Sequence, residues 1–244
     1  MHCGATRCSR YNLVMDIAGR RALVTGAGVG TGRAITLALA AEGADVVASD
    51  VDETGGNETV AMCGGSARFV KADLTVADDL RRLIDSAAPT ILVNNAGGGG
   101  HIPPHFPDAA PQQWGATLDL NLRAPMLATQ LALTPMRRAG GGAIINVAST
   151  AGLGSEPYQS PEYGAAKAGL IRFTSALRAI EGVRVNCIVP DWVATERVTM
   201  EERATTPPPI SLATLVAGVI RLIRDDSLAG RALVLWRGAE PSLN

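Results

Sequence analysis

The chain is 244 residues long, 47% hydrophobic and 18% charged, with a formal net charge of −1. That composition suits one α/β domain with a large core, and it leaves no basic excess for a nucleic acid or a membrane surface. No apolar run approaches the length of a bilayer span.

Residues 1–14 (MHCGATRCSRYNLV) show neither periodicity nor the apolar core of a secretory signal, and are expected to form a disordered tail. Met15 opens a run that reads as a natural protein start, so a single domain is expected over 15–244. His2, Cys3 and Cys8 fit a floppy terminus better than a metal site. A first buried strand is expected at Ala22–Thr25, a helix at about Thr31–Glu42 and a second strand at Ala44–Ser49. A polar helix follows near Glu53–Met62, then a strand at Ala67–Lys71 and a helix over 76–87. Thr90–Asn94 reads as a fourth strand, and Gly97–Pro111 is rich enough in Gly and Pro to be a loop. A long helix is expected over Pro111–Arg138 and a fifth strand at Ala143–Ala148. Another helix carries Tyr163 and Lys167 to about Ile180. Val183–Val189 is a sixth strand, Ser211–Arg224 the last helix and Ala232–Trp236 a seventh strand.

The strands are nearly continuous hydrophobic runs, as in a sheet covered on both faces. Strand–helix alternation to the end of the chain points to a doubly wound parallel sheet of about seven strands. The loops 97–111 and 191–210 both follow strand carboxyl ends, where ligands bind in such sheets. Cys63 and Cys187 sit in apolar surroundings and read as free thiols of a reduced compartment, which points to a cytoplasmic protein.

Thr25-Gly26-Ala-Gly28-Val29-Gly30-Thr31-Gly32 follows the first strand and opens the first helix. Glycines there let the backbone turn tightly and approach a pyrophosphate, and the helix N-terminus offers unpaired amides to the anion. Asp50 ends the second strand eighteen residues after Gly32. A carboxylate at that place accepts ribose hydroxyls and repels a 2′-phosphate, which favours NAD over NADP. Val29, where a basic residue would help hold that phosphate, points the same way. Arg33 faces either solvent or the phosphates.

Tyr163-Gly-Ala-Ala-Lys167 places a phenol and an ammonium on one helix face. Free tyrosine titrates near 10, so an acid/base working near neutrality needs a drop of about 3 units, or roughly 4 kcal/mol. One charge at about 4 Å, at an effective dielectric of about 20, supplies about 4 kcal/mol. Ser149 lies fourteen residues upstream. Tyr158 is a rival phenol, but Glu162 at its i+4 position is expected to raise its pKa. Ser155 and Ser160 read as loop hydroxyls ahead of the helix.

Together these motifs resemble the short-chain dehydrogenase/reductase family, over about residues 16–238. Further matches in order are Asp73-Leu74 after the third strand, Asn94-Asn95-Ala96-Gly97 after the fourth, Asn121 seven residues after Trp114, and INVAS ending in Ser149. The resemblance implies a Rossmann-type fold and an NAD(P)-dependent oxidoreductase acting on a small alcohol or ketone as a homodimer or homotetramer. It implies that Ser149 polarises the substrate oxygen, that Tyr163 is the general acid/base, and that Lys167 lowers the phenol pKa and binds the nicotinamide ribose. Asn121 would hold a water on a proton relay. Val51, Asp73 and Leu74 would sit by the adenosine, and Asn95, Ala96, Gly97, Pro190, Val193 and Thr195 along the rest of the cofactor.

Four departures from the family pattern stand out. Pro190-Asp191 replaces the usual Pro-Gly, adding a negative charge near the cofactor that suits an exposed turn or a cationic or hydroxyl-rich substrate. Only about fifteen residues, with Pro207-Pro208-Pro209 among them, separate Thr195 from the last helix, which suggests a stiff, open mouth. The helix after Lys167 lacks nearly a turn, which bears on oligomer geometry. The usual terminal V-D-G-G reads Leu235-Trp236-Arg237-Gly238. Prolines between His101 and His105 forbid the helix that would make them metal ligands, so no metal is expected. His101, Phe106, Asp191 and Trp192 are instead expected at the substrate mouth. A second functional reading remains: a catalytically weak NAD-binding protein of the same fold, acting as sensor or scaffold.

Overall fold

The computed structural model describes residues 14–154 and 158–244. Eight strands form one sheet in the order β3-β2-β1-β4-β5-β6-β7-β8. They are β1 (Arg21–Thr25), β2 (Asp45–Asp50), β3 (Ala67–Lys71), β4 (Ile91–Asn94), β5 (Gly142–Val147), β6 (Val183–Pro190), β7 (Ala232–Leu235) and β8 (Ser242–Leu243). All neighbours pair in parallel except β8, which runs antiparallel to β7 with Leu233 opposite Leu243. The helices are α1 (Gly30–Ala41), α2 (Glu53–Ala61), α3 (Ala77–Ala87), α4 (Pro111–Leu118), α5 (Ala124–Arg138), α6 (Pro161–Ala176), α7 (Met200–Arg203) and α8 (Leu212–Arg224).

Side chains alternate across the sheet as the strand period demands. Ala22 and Val24 of β1, Ile91 and Val93 of β4 and Ile145 of β5 meet Ile35 and Leu39 of α1 and Leu215, Val219 and Leu222 of α8. Leu23, Leu92 and Ile144 point to the other face, against Leu80, Leu83 and Ile84 of α3 and Ala132 and Met136 of α5. Both faces are therefore dry, which is why the strands read as continuous apolar runs. Strand order reverses between β1 and β4, so their carboxyl ends part and open a crevice.

Several expectations change. The sheet has eight strands rather than about seven, because a two-residue strand at the C-terminus carries no periodic signal. The long helix is interrupted between α4 and α5 by a π turn at Asp119–Arg123, the kind of bulge that gathers at functional sites. The helix carrying Tyr163 ends at Ala176, not near Ile180. Within the loop 191–210 a short helix, α7, forms because Thr199 and Glu202 cap each other's backbone. Val14, assigned to the tail by its sequence, bridges to Asp225, and the Met15 N–H donates to the Arg224 carbonyl. The remaining tail residues, with His2, Cys3 and Cys8, lie outside the described residues, as does Ser155. No described helix is long and apolar enough to cross a membrane.

Candidate functional site

The glycine turn between β1 and α1 is built by close backbone approach. Gly26 adopts φ +64°, and a Cβ there would lie 2.7 Å from Ala96 Cα; one on Gly32 would lie 1.9 Å from the Gly26 carbonyl oxygen. Asn95 ties this turn to the end of β4, its side-chain amide donating to the carbonyls of Thr25 (2.9 Å) and Gly26 (3.0 Å). Asn95 is thus a brace for the turn. A crevice of about 550 Å³ runs along the strand ends and is lined by Gly26, Gly28, Val29, Gly30, Thr31, Asp50, Val51, Asp73, Leu74, Ala96, Gly97 and Thr195. The Asp50 carboxylate accepts from the Gly28 N–H at 2.8 Å and from the Asp52 N–H at 3.0 Å, so it orders the turn as well as facing the crevice. Asp73 accepts from the Thr75 N–H and hydroxyl.

Arg33 turns toward α2. Its guanidinium donates to Thr59 Oγ1 (3.0 Å), the Gly28 carbonyl (2.5 Å) and Glu58 (3.0 Å), and so locks α2 against the turn. The crevice fits a dinucleotide. The Ser49 hydroxyl is buried in it without a partner, and Val29 at the N-cap of α1 gives no side-chain cap to the helix amides. One amide there is taken by a residue the sequence did not single out: the Gly30 N–H donates to Glu196 Oε1 at 2.8 Å.

At the carboxyl end of β5 the structure brings Ser149, Tyr163 and Lys167 together around a cavity of about 190 Å³ that also touches Thr31, Asn95, Gly97, Pro190, Asp191 and Val193. Tyr163 and Lys167 share a face of α6, and Lys167 is 4% exposed. Its Nζ lies 5.5 Å from the Tyr163 ring centroid and donates to the Val147 carbonyl at 3.0 Å. Burial lowers Lys167 to about 8. Burial also pushes Tyr163 up to about 12; the Ser149 hydroxyl works against this, and Tyr158 adds to it. The expected drop of the phenol toward neutrality is therefore reversed, because desolvation outweighs the help it receives.

Asn121 lies in the π turn and is 1% exposed. Its Oδ1 accepts from the Gly98 N–H (3.0 Å), and its Nδ2 donates to the Gly98 and Thr117 carbonyls (both 2.9 Å). This side chain grips the loop after β4.

A third cavity, of about 610 Å³, opens beyond Ser149 and Tyr163 and is lined by His101, Tyr158, Asp191, Trp192 and Arg197 among others. Phe106 is not part of it; that ring is 57% exposed, and its backbone N–H points to Glu162. His105 Nδ1 lies 3.0 Å from Glu162 Oε1 in a part-buried pair. Tyr158 precedes α6 and stacks on Tyr163 at 6.1 Å; burial, not Glu162, raises its pKa. The charge expected at Asp191 is matched within the fold, since Asp191 Oδ2 lies 3.1 Å from Arg237 Nε. The pairings of Arg237 with Asp191, His105 with Glu162 and Glu196 with Gly30 join positions far apart in the chain.

A doubly wound sheet with this crevice at its switch point and this serine–tyrosine–lysine cluster beside it defines an oxidoreductase of the Rossmann type. The chain belongs to the short chain dehydrogenase family, whose pattern matches residues 20–206. It is 32% identical over 231 residues to an uncharacterized oxidoreductase of Thermotoga maritima, covering 88% of this chain and 89% of that one. It is 36% identical over 197 residues to the D-beta-hydroxybutyrate dehydrogenase of Cupriavidus necator, covering 76% and 75%. A solved structure of a short chain dehydrogenase/reductase family protein superposes with a TM-score of 0.81 at 30% identity, covering 91% and 97%. Membership implies a nicotinamide dinucleotide, NAD or NADP.

Proposed function

We propose that this protein is an NAD-dependent oxidoreductase that interconverts a secondary alcohol and a ketone, with Tyr163 as general acid/base. The observation that carries this is that Tyr163 and Ser149 line both the 190 Å³ cavity and the third cavity, with Lys167 buried beside them, and that the smaller cavity shares Thr31, Asn95 and Gly97 with the dinucleotide crevice. Asp50 and the amides of the glycine turn would hold the adenosine ribose and the diphosphate. Thr195 and Val193 would meet the nicotinamide end. Bound there, the cofactor supplies or accepts a hydride.

Ser149 binds the substrate oxygen and polarises it. In reduction the phenol of Tyr163 gives its proton to the oxygen as negative charge develops on it. A phenol held up at about 12 keeps that proton at neutral pH, yet still yields it to an alkoxide, a far stronger base. Lys167 stabilises the phenolate left behind. Asn121 holds Gly98, and so the loop over Lys167, in place. NAD is favoured over NADP because Asp50 faces the ribose position while Arg33 is committed to Gly28, Thr59 and Glu58. We propose that it is a cytoplasmic homodimer or tetramer, joined through the apolar groove lined by Leu122 of the π turn, Met126 of α5 and Phe173 of α6.

The test is NADH oxidation over a ketone panel with Tyr163→Phe as control. The variant is expected to lose turnover by roughly 10²–10⁴-fold while still enhancing NADH fluorescence. A wild type that binds NADH but turns nothing over makes the protein a cofactor-binding sensor or scaffold instead.

A further inference from the structure

Two of the departures from the family pattern, Asp191 and Arg237, meet in space. Asp191 lies one residue after Pro190 and Arg237 two after Leu235, the last paired residues of β6 and β7. Asp191 Oδ2 accepts from Arg237 Nε at 3.1 Å and from the Arg237 N–H at 3.4 Å. Its Oδ1 accepts from the Trp192 N–H at 2.8 Å, and its own N–H donates to the Leu235 carbonyl at 2.8 Å. The Arg237 guanidinium lies over the Trp192 ring, 5.6 Å from its centroid. The Trp192 carbonyl accepts from the Ile210 N–H. Trp192 is thus fixed by its backbone on both sides and by a cation on its ring, and that ring lines the third cavity together with Ser149 and Tyr163.

The same cavity presents Tyr158, stacked on Tyr163, and His101. Its two carboxylates are engaged: Asp191 by Arg237, and Glu202 by the Thr199 N–H. What the cavity offers a substrate is ring faces, together with Arg197, rather than a bare negative charge. We propose that Asp191 and Arg237 are positioning residues that hold Trp192 as a specificity-determining wall, and that the cavity takes ketones carrying a flat ring beside the reacting carbon. A large, rigid aromatic face gives contact area with little ordering cost, and a wall held in place also holds the carbonyl toward Ser149 and Tyr163. This rests on the oxidoreductase reading above.

The experiment compares acetophenone with 2-octanone, methyl ketones of equal carbon number, on NADH-loaded protein. NADH fluorescence is recorded first; failure to bind NADH defeats the oxidoreductase reading itself. For the wild type, kcat/KM is expected to favour acetophenone about five- to tenfold. Trp192→Ala removes the preference and Trp192→Phe keeps most of it. Arg237→Gln erodes it through KM, with kcat within about twofold and NADH affinity unchanged, and Arg237→Lys restores part of it by keeping the pair with Asp191. Melting temperatures confirm that each variant folds. The proposal is overturned if the NADH-bound wild type shows no preference, or if neither ketone turns over or raises the melting temperature of the NADH-loaded protein. It is equally overturned if Trp192→Ala keeps the preference. An unchanged ratio in Arg237→Gln removes the positioning role.

Discussion

Lys167 Nζ lies 5.5 Å from the centre of the Tyr163 ring, yet its hydrogen bond runs to the Val147 carbonyl. The ammonium is thus held within reach of the phenol by β5 rather than by the phenol itself. Its orientation is set by the fold, which under the proposed mechanism lowers the reorganisation needed when charge appears on the tyrosine oxygen.

That burial has a measurable signature in stability. Lys167 drops from 10.5 unfolded to about 8 folded. The cost of burying its charge is fully present below pH 8 and is relieved as pH rises from 8 toward 10.5, so this group makes the fold more stable with rising pH. Tyr163 and Cys187, both raised to about 12, act in the opposite sense at high pH. Comparison with Lys167→Met cancels most of their effect. Urea unfolding at pH 7, 8, 9 and 10 should show the wild type gaining on Lys167→Met above pH 8, by at most about 1.4 kcal/mol per pH unit. A constant difference across that range would mean the ammonium is not desolvated.

Asp50→Ala should both relax cofactor choice and loosen the turn, because the carboxylate holds the Gly28 N–H. NADH affinity is expected to fall by about tenfold, the order of one charge-assisted hydrogen bond, and NADPH affinity to fall less. Titrations of both cofactors give the ratio; an unaltered ratio would take Asp50 away from the ribose.

Glu196 places a carboxylate on the Gly30 N–H, at the end of α1 that favours anions. A cofactor diphosphate approaching that amide must displace it. Glu196→Gln should therefore tighten NADH by about two- to fivefold, with a smaller gain at high salt. Weaker binding would show instead that the carboxylate supports the cofactor.

Gly97→Ala should damage the cluster without unfolding the chain. A Cβ there would lie 2.6 Å from Asn121 Oδ1 and 3.1 Å from Lys167 Nζ, so both side chains must shift. Turnover is expected to fall by about 10²-fold, as a misplacement of about 1 Å does, while the far-ultraviolet dichroism spectrum stays that of the wild type. Retained turnover would show that neither side chain needs its present place.

Much of this was legible because its signals are local. Leu23 and Val24 announce a strand by being apolar in succession, Gly26 and Gly32 a turn by lacking side chains, and Tyr163 and Lys167 a shared face by their spacing. What stayed hidden depends on partners that sequence spacing does not bring together. Asn95 lines the crevice, as its motif implies, and also braces the Thr25 and Gly26 carbonyls, which no local signal shows. Asp191 and Arg237 are two separate departures in sequence, and only the adjacent ends of β6 and β7 pair them. The π turn at Asn121 leaves no mark, because its composition is that of ordinary helix.

By itself the order of residues determined the alternating layers, the place of the dinucleotide turn and the serine, tyrosine and lysine beside it, since hydrophobic period and backbone freedom act over a few residues. Only the packed molecule decided the protonation tendencies of Tyr163 and Lys167, the pairing of Asp191 with Arg237, and the docking of Glu196 on Gly30. Those depend on how much water each group loses and which distant charge replaces it, and both quantities exist only once the chain has closed on itself.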